Sequence, residues 1–268
     1  MIICHEEILS RLVKCFIDEA NHLTLNEIER LIKEKKSFHH LDKENFIPYS
    51  GKTNYDFLCT IDLPQRIYLN VEIQNAPNPG YSLITRGLTY ISRIMTTQWK
   101  NEYYDYDYNH IKKVYSIWIL PQSAKKNDGH INAYKIDEIN INGTTIERIE
   151  TYDKGVLIMI YLNKEHDTNE KYIIYDNILT PLVSFLNNVL SYQEKRKIMK
   201  KYGFKVIDKE IEKMCNLGEM IEREAKQAKN IEHLQNVMHE LQCSLEKAMD
   251  ILKLTDEERK EIKKYFQA

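Results

Sequence analysis

Seven consecutive residues, Val114-Tyr115-Ser116-Ile117-Trp118-Ile119-Leu120, offer water almost nothing, and Pro121 ends the run. That length suits a strand better than a helix. A strand that is apolar at nearly every position, not at every second one, is covered on both faces. It therefore needs strand neighbours on either side and helices above and below. A chain built around such a segment is α/β, a sheet with helices on both faces.

Two further short segments, Tyr55–Ile61 and Tyr68–Gln74, are rich in β-branched and aromatic residues and are separated by Asp62-Leu63-Pro64-Gln65-Arg66. They read as strands joined by a turn. Side chains alternate across a strand, so Asn70, Glu72 and Gln74 share one face and Leu69, Val71 and Ile73 the other. If the strands pair, Asp56 lies beside Glu72 and Gln74, and two carboxylates and an amide converge.

The remaining elements follow from periodicity. Residues 5 to 20 carry Ile8, Leu9, Leu12, Val13, Phe16, Ile17 and Ala20 on one side, an amphipathic helix. Thr24-Leu25-Asn26-Glu27 fits a capping box opening a second helix to about Lys36. Glu7 and Glu19 read most simply as solvated or dipole-compensating residues, with a reach towards a metal as the alternative. A short strand is expected around Asn45 to Tyr49. After the loop Asn75-Ala76-Pro77-Asn78-Pro79-Gly80, residues 81 to 98 form a helix with Ile84, Gly87, Leu88, Ile91 and Met95 as its buried stripe. Gly87 costs about 1 kcal/mol against alanine in a helix interior, so it reads as a close helix–sheet contact. Arg86, Tyr90, Arg93 and Thr97 form a second, basic and hydrogen-bonding ridge. Asn101 to His110 is tyrosine-rich, but Asp105 and Asp107 would repel phosphate, so it reads as an ordered linker. Strands are expected at 131 to 136, 145 to 152 and 156 to 162, and a helix from Asn177 to Leu190.

Composition shifts beyond Ser191. Lys195, Arg196, Lys197, Lys200 and Lys201 form a basic cluster that reads first as a solvated helix face. From about Asp208 the chain is expected to be helical. Ile231, Leu234, Met238, Leu241, Leu245, Ala248 and Leu252 alternate three and four apart, a pattern that permits a coiled-coil seam and with it a homo-oligomer, or one helix packed on its own domain. Thr255 to Glu258 caps a last helix to about Phe266. The expected division is residues 1–190 and 191–268.

Composition bounds the partners. With 38 Lys+Arg against 40 Asp+Glu the net charge is −2, so a nucleic-acid surface must be a local patch. The five cysteines are scattered without a Cys-x-x-Cys pair, which offers neither a zinc site nor a disulfide framework. No stretch approaches 18 apolar residues and Met1-Ile2-Ile3-Cys4 has no basic, then apolar, leader pattern, so the expectation is a cytoplasmic protein without a membrane partner.

Phosphodiester hydrolysis uses a cation that polarises a phosphoryl oxygen and helps to generate hydroxide. Mg²⁺ takes oxygen ligands, commonly one or two carboxylates with water and substrate completing the shell. Asp56 and Glu72 would be those carboxylates, the Ile73 carbonyl a third oxygen, and Gln74 a residue facing the attacking water. Gln74 is neutral, so positive charge would come from Arg86 or Lys52. On the bare pattern, a wet strand face displays such residues often.

The order of these segments adds to the pattern. A helix, Tyr55-Asp56-Phe57-Leu58, Asn70-Val71-Glu72-Ile73-Gln74-Asn75, Gly80 to Tyr90 and Lys113 to Ile119 together resemble the PD-(D/E)XK nuclease family transposases, relatives of the recombination-promoting nucleases. Met214-Cys215-Asn216-Leu217-Gly218 and Ser244 to Leu252 are similar to that family's C-terminal region. The resemblance implies a restriction-endonuclease-like core with a mixed sheet flanked by helices, a helical C-terminal extension, and Mg²⁺-dependent DNA cleavage with Mn²⁺ as a substitute, in recombination, mobile elements or phage defence. It implies Asp56 and Glu72 as metal carboxylates and Gln74 in the place of the motif lysine. Arg86, Tyr90 and Arg93 would contact DNA. The chain departs from the family in its reduced charged repeat, Glu219 to Asn230, and in lacking acidic residues from Pro48 to Asn54. The rival expectation is a catalytically silent protein of this fold that binds DNA or assembles with itself.

Overall fold

A computed structural model describes residues 5–34, 37–41, 44–47, 51–99, 101–103, 107–163, 175–186, 190–205, 233–234, 236–238, 240, 243–252 and 259. The chain forms two compact units, Met1–Ile207 and Asp208–Ala268. The first opens with helices α1 (Glu6–Phe16) and α2 (Leu25–Lys33), followed by strands β1 (Phe38–His40), β2 (Glu44–Ile47) and β3 (Gly51–Asn54). Then come β4 (Phe57–Asp62), β5 (Arg66–Ile73), α3 (Leu83–Thr97), β6 (Val114–Leu120) and β7 (Ile131–Lys135). The short α4 (Ile149–Tyr152), β8 (Gly155–Tyr161), α5 (Asp176–Leu186) and α6 (Tyr192–Lys201) complete it. Thus α6, with the basic cluster, belongs to the first unit and not to the C-terminal one.

Six strands form one mixed sheet in the order β1-β4-β5-β6-β8-β7, and β2 and β3 pair separately. All seven residues of β6 are buried, and β6 lies between β5 and β8, parallel to both. Parallel neighbours cannot be joined by a tight turn, so the chain crosses between β5 and β6 through α3. The β4–β5 hairpin is antiparallel with Phe57 opposite Val71 and Asp62 opposite Arg66. Arg66 Nε donates to Asp62 Oδ1 at 2.6 Å and closes the turn.

Helix α3 covers one face. Tyr68 of β5, Val114, Trp118 and Leu120 of β6, and Leu157 and Met159 of β8 pack with Leu83, Tyr90, Ile91 and Ile94. The buried face of α3 is turned from the expected stripe. Leu83, Gly87, Tyr90, Ile91 and Ile94 face the sheet, whereas Leu88 is 47% exposed. Three and four residues apart, these five positions follow the helical period, and the large Tyr90 ring takes the place between Tyr55 and Trp118. A β-carbon built on Gly87 would stand 2.5 Å from Leu157 Cδ1, so the glycine sets how close helix and sheet can come. On the opposite side, Tyr115 of β6 donates its hydroxyl to Glu19 Oε2 at 2.7 Å.

Four expectations are corrected. Residues 145–152 do not form a strand: β8 already pairs with β6 on one side and β7 on the other, which leaves them no sheet edge there. Ile146 and Ile149 are consequently exposed, and one turn of helix, α4, forms instead. Glu7 and Glu19 are neither simply solvated nor turned to the carboxylate pair. Glu7 Oε1 accepts from the Lys205 amide at 2.7 Å, and Glu19 serves Tyr115. Lys195, taken as part of a solvated face, is buried and its Nζ donates to the Phe185 carbonyl. A burial that satisfies the ammonium on a helix-end carbonyl accounts for that placement. In the second unit, the stripe from Ile231 to Leu252 is not one continuous helix. Ser244 is extended and caps α7 (Leu245–Ile251), while Leu234, Ala248 and Met249 share a small apolar cluster. Ile231, Leu241 and the last helix expected from Thr255 lie outside the described residues.

Gly87→Val is expected to destabilise the protein by about 2 kcal/mol through overpacking against Leu157. In denaturant unfolding the double variant with Leu157→Ala should cost less than the sum of the two single changes. Strict additivity would show that the two positions do not press on each other.

Candidate functional site

The site lies where β5 leaves the sheet. Residues Arg66 to Val71 of β5 lie opposite β4 and Tyr68 to Ile73 lie opposite β6, and beyond that register the Gln74 N–H still donates to the Ile119 carbonyl at 2.9 Å. The hairpin ladder ends at Phe57 and Val71, and just beyond it the chain turns at Asp56. Side chains replace the missing ladder bonds. The Asp56 N–H donates to Glu72 Oε1 at 3.1 Å, and the Ile73 N–H donates to Asp56 Oδ2 at 2.9 Å. This reciprocal pair of bonds holds both carboxyl groups at one strand end. The Ile73 carbonyl leaves the strand on the side of its N–H, towards Asp56.

The environment below the pair is dry but polar. Glu72 is 5% exposed, and Asn70, two residues earlier on the same face, is fully buried. Asn70 Nδ2 donates to Ser116 Oγ at 2.9 Å, and Trp118 Nε1 donates to the same oxygen at 2.9 Å. Burial, reinforced by the nearby Asp56 charge, pushes Glu72 up to about 8, against the opposing pull of the Asp56 amide and Arg86. In the metal-free protein at neutral pH, Glu72 is therefore held largely protonated.

Arg86 is the cation whose charge acts on Glu72. Its Nε and Nη2 donate to the Tyr90 hydroxyl at 3.2 and 2.7 Å, and its Nη1 donates to Tyr81 Oη at 2.9 Å and to Gln74 Oε1 at 3.4 Å. The guanidinium also lies 5.2 Å from the ring centres of both Tyr90 and Trp118. Gln74 turns its amide nitrogen to the Ala76 carbonyl at 2.8 Å.

Of the residues singled out in the sequence, Asp56, Glu72 and Ile73 share one set of hydrogen bonds and Gln74, Arg86 and Tyr90 another, and the charge of Arg86 acts on Glu72 across them. Tyr90 is buried, so its ring packs in the core and its hydroxyl holds Arg86 in place. Arg93 lies two turns along α3, beside Tyr55, whose phenol it influences. The side chain of Lys52 lies outside the described residues. Ser116, Trp118 and Tyr81 were not picked out in advance. The one hydroxyl within the apolar run of β6 was the available signal for Ser116.

Two hard carboxylates held together suit Mg²⁺ or Mn²⁺, ions that are commonly bound by one or two protein carboxylates with water or substrate filling the shell. Among the described residues no group of three or more His, Cys, Asp or Glu side chains could hold an ion, so any such site rests on the pair and on backbone oxygen. No family model, curated protein or solved structure matches the chain. Among the described residues no helix is long and apolar enough to cross a membrane.

The raised Glu72 carboxyl carries a stability cost with a definite sign. Below about pH 4.5 the group is protonated folded or unfolded; between there and about 8 only the unfolded chain ionises, so its contribution falls as pH rises. Glu72→Gln keeps an acceptor for the Asp56 amide and is expected to stabilise the protein in EDTA by on the order of 2–4 kcal/mol above pH ~8. The gain should vanish towards pH ~4.5. A gain independent of pH in urea titrations would rule out this cause.

Proposed function

We propose that the chain is a metal-dependent DNA endonuclease of the PD-(D/E)XK kind, hydrolysing phosphodiester bonds with Mg²⁺ or Mn²⁺. The observation that carries the reading is the reciprocal bonding of Asp56 and Glu72 at the end of β5, with Arg86 and Gln74 beside them. The mixed α/β sheet with helices on both faces supports it as a suitable scaffold.

Asp56 and Glu72 would hold the cation, with the Ile73 carbonyl as a third oxygen. A bound divalent ion supplies polarisation of the phosphoryl oxygen and a more acidic water. Glu72 must lose its proton to act as a ligand, so binding and deprotonation are coupled. Gln74 has no charge to offer, and in this reading the positive charge facing the phosphate is Arg86. Three aromatic rings surround that guanidinium and Tyr90 fixes its plane, which keeps a long side chain ordered before substrate arrives. Four of the five N–H groups that a guanidinium carries are engaged within the protein, which leaves one to donate to a phosphate.

Purified protein is expected to nick supercoiled plasmid with Mg²⁺ or Mn²⁺ and not in EDTA. Asp56→Ala and Glu72→Ala should each lower the rate by roughly a hundredfold or more, the equivalent of several kcal/mol of charge stabilisation. Nicking that survives both changes would overturn the site. Absence of cleavage with any divalent ion would favour the rival reading, a silent DNA-binding or self-associating protein. The lack of a lysine at Gln74 is the observation behind that rival.

A second prediction concerns pH. At limiting Mg²⁺, the rate should climb as pH rises towards about 8, because the cation competes with the Glu72 proton. Saturating metal should shift this rise to lower pH. A profile that metal concentration does not move would exclude Glu72 as a ligand.

A further inference from the structure

The two ends of the parallel strands carry different kinds of cavity. At the amino ends of β5, β6 and β8 lies one of about 490 Å³ walled by charged groups, Arg66, Lys113, Asp153 and Lys154 among them. At the carboxyl ends, next to the start of α3, lies another of about 540 Å³ in which, among the described residues, no Asp, Glu, Lys or Arg takes part. Its polar lining includes Gln122 and Asn127, its rings are Tyr81 and Tyr161, and Leu120 and Met159 contribute apolar wall. The crevice beyond the carboxyl ends of parallel strands is where open α/β sheets commonly bind ligands.

A partly aromatic cavity whose described lining carries amides and no charge suits a neutral, flat ligand with hydrogen-bonding edges. Tyr81 connects this cavity to the site above. Its hydroxyl accepts from Arg86 Nη1 at 2.9 Å, and its ring belongs to the cavity wall. The Tyr161 phenol is likewise hydrogen-bonded, to Tyr134. The cation suited to a phosphate and the cavity suited to a base thus meet at one side chain, Tyr81.

We infer that this cavity takes an unpaired nucleobase of the strand whose phosphate lies at Arg86. The inference rests on the nuclease reading and adds a substrate class to it: single-stranded, flapped or mismatched DNA over blunt duplex. A paired base would first have to leave its stack to enter.

The test uses the full chain in EDTA with oligonucleotides containing 2-aminopurine, whose fluorescence is quenched on stacking. The single strand should bind with quenching and at least tenfold more tightly than its blunt duplex. Tyr161→Ala should weaken the single strand at least tenfold while Tyr161→Phe does not, and Tyr81→Ala, at a 55% exposed position that folding does not need, should also reduce the quench. Equal binding of both forms, no binding, or a quench unchanged in the alanine variants would overturn the inference. So would 2-aminopurine riboside binding as tightly as the strand, which would make this a site for a free nucleoside. Plasmid nicking read in parallel separates the two claims. Quenching without metal-dependent cleavage supports the base cavity and sinks the nuclease reading, whereas cleavage without quenching does the reverse.

Discussion

Hydrogen bonding on both edges of a strand buried on both faces is the constraint on which the first unit depends. Once β6 is placed between two parallel neighbours, the chain must cross the sheet to reach it, and the segment that crosses must present an apolar face downwards. Helix α3 meets that demand with Leu83, Gly87, Tyr90, Ile91 and Ile94. Arg86 is therefore positioned by the core: it sits beside one core residue in sequence and bonds to another, Tyr90, four residues on.

The carboxylate pair shows a different balance. Two acids at one strand end repel, and Glu72 is also nearly dry, which would disfavour such an arrangement without compensation. Backbone amides supply part of it. Asp56 and Glu72 each accept an N–H that the interrupted β4–β5 ladder would otherwise leave without a partner, so the same bonds end the hairpin and hold the acids. Tension between burial and charge at such a place is a common feature of functional sites. Asn70, Ser116 and Trp118 extend the polar path into the core, where each donor shown meets an acceptor.

Much of this was legible in the sequence because the signals were local. The β4–β5 hairpin followed from two short β-rich runs around a Pro-containing turn, and the capping box at Thr24 and Glu27 is formed by both of its expected bonds. Alternation placed Asn70 and Glu72 together on one face of the strand. What local patterns do not carry is competition for neighbours. Residues 145–152 had a strand-like composition, but both edges of the strand that follows them, β8, are taken by β6 and β7, and Leu88 lost its expected place to Tyr90, whose ring fits between Tyr55 and Trp118. The tie between Tyr81 and Arg86, five residues apart in sequence, depends on the path of the loop before α3, which no periodicity describes.

Gly87 bears on positional tolerance. Catalytic and binding groups need placement to within about 0.5 Å, and long side chains on loosely seated helices drift by more than that. Here the helix approaches Leu157 at the residue next to Arg86 so closely that even a β-carbon would stand 2.5 Å from Leu157 Cδ1. The height of the guanidinium over the strand ends is consequently tied to how closely the backbone at Gly87 approaches the Leu157 side chain, so this part of the surface follows the packing of the interior.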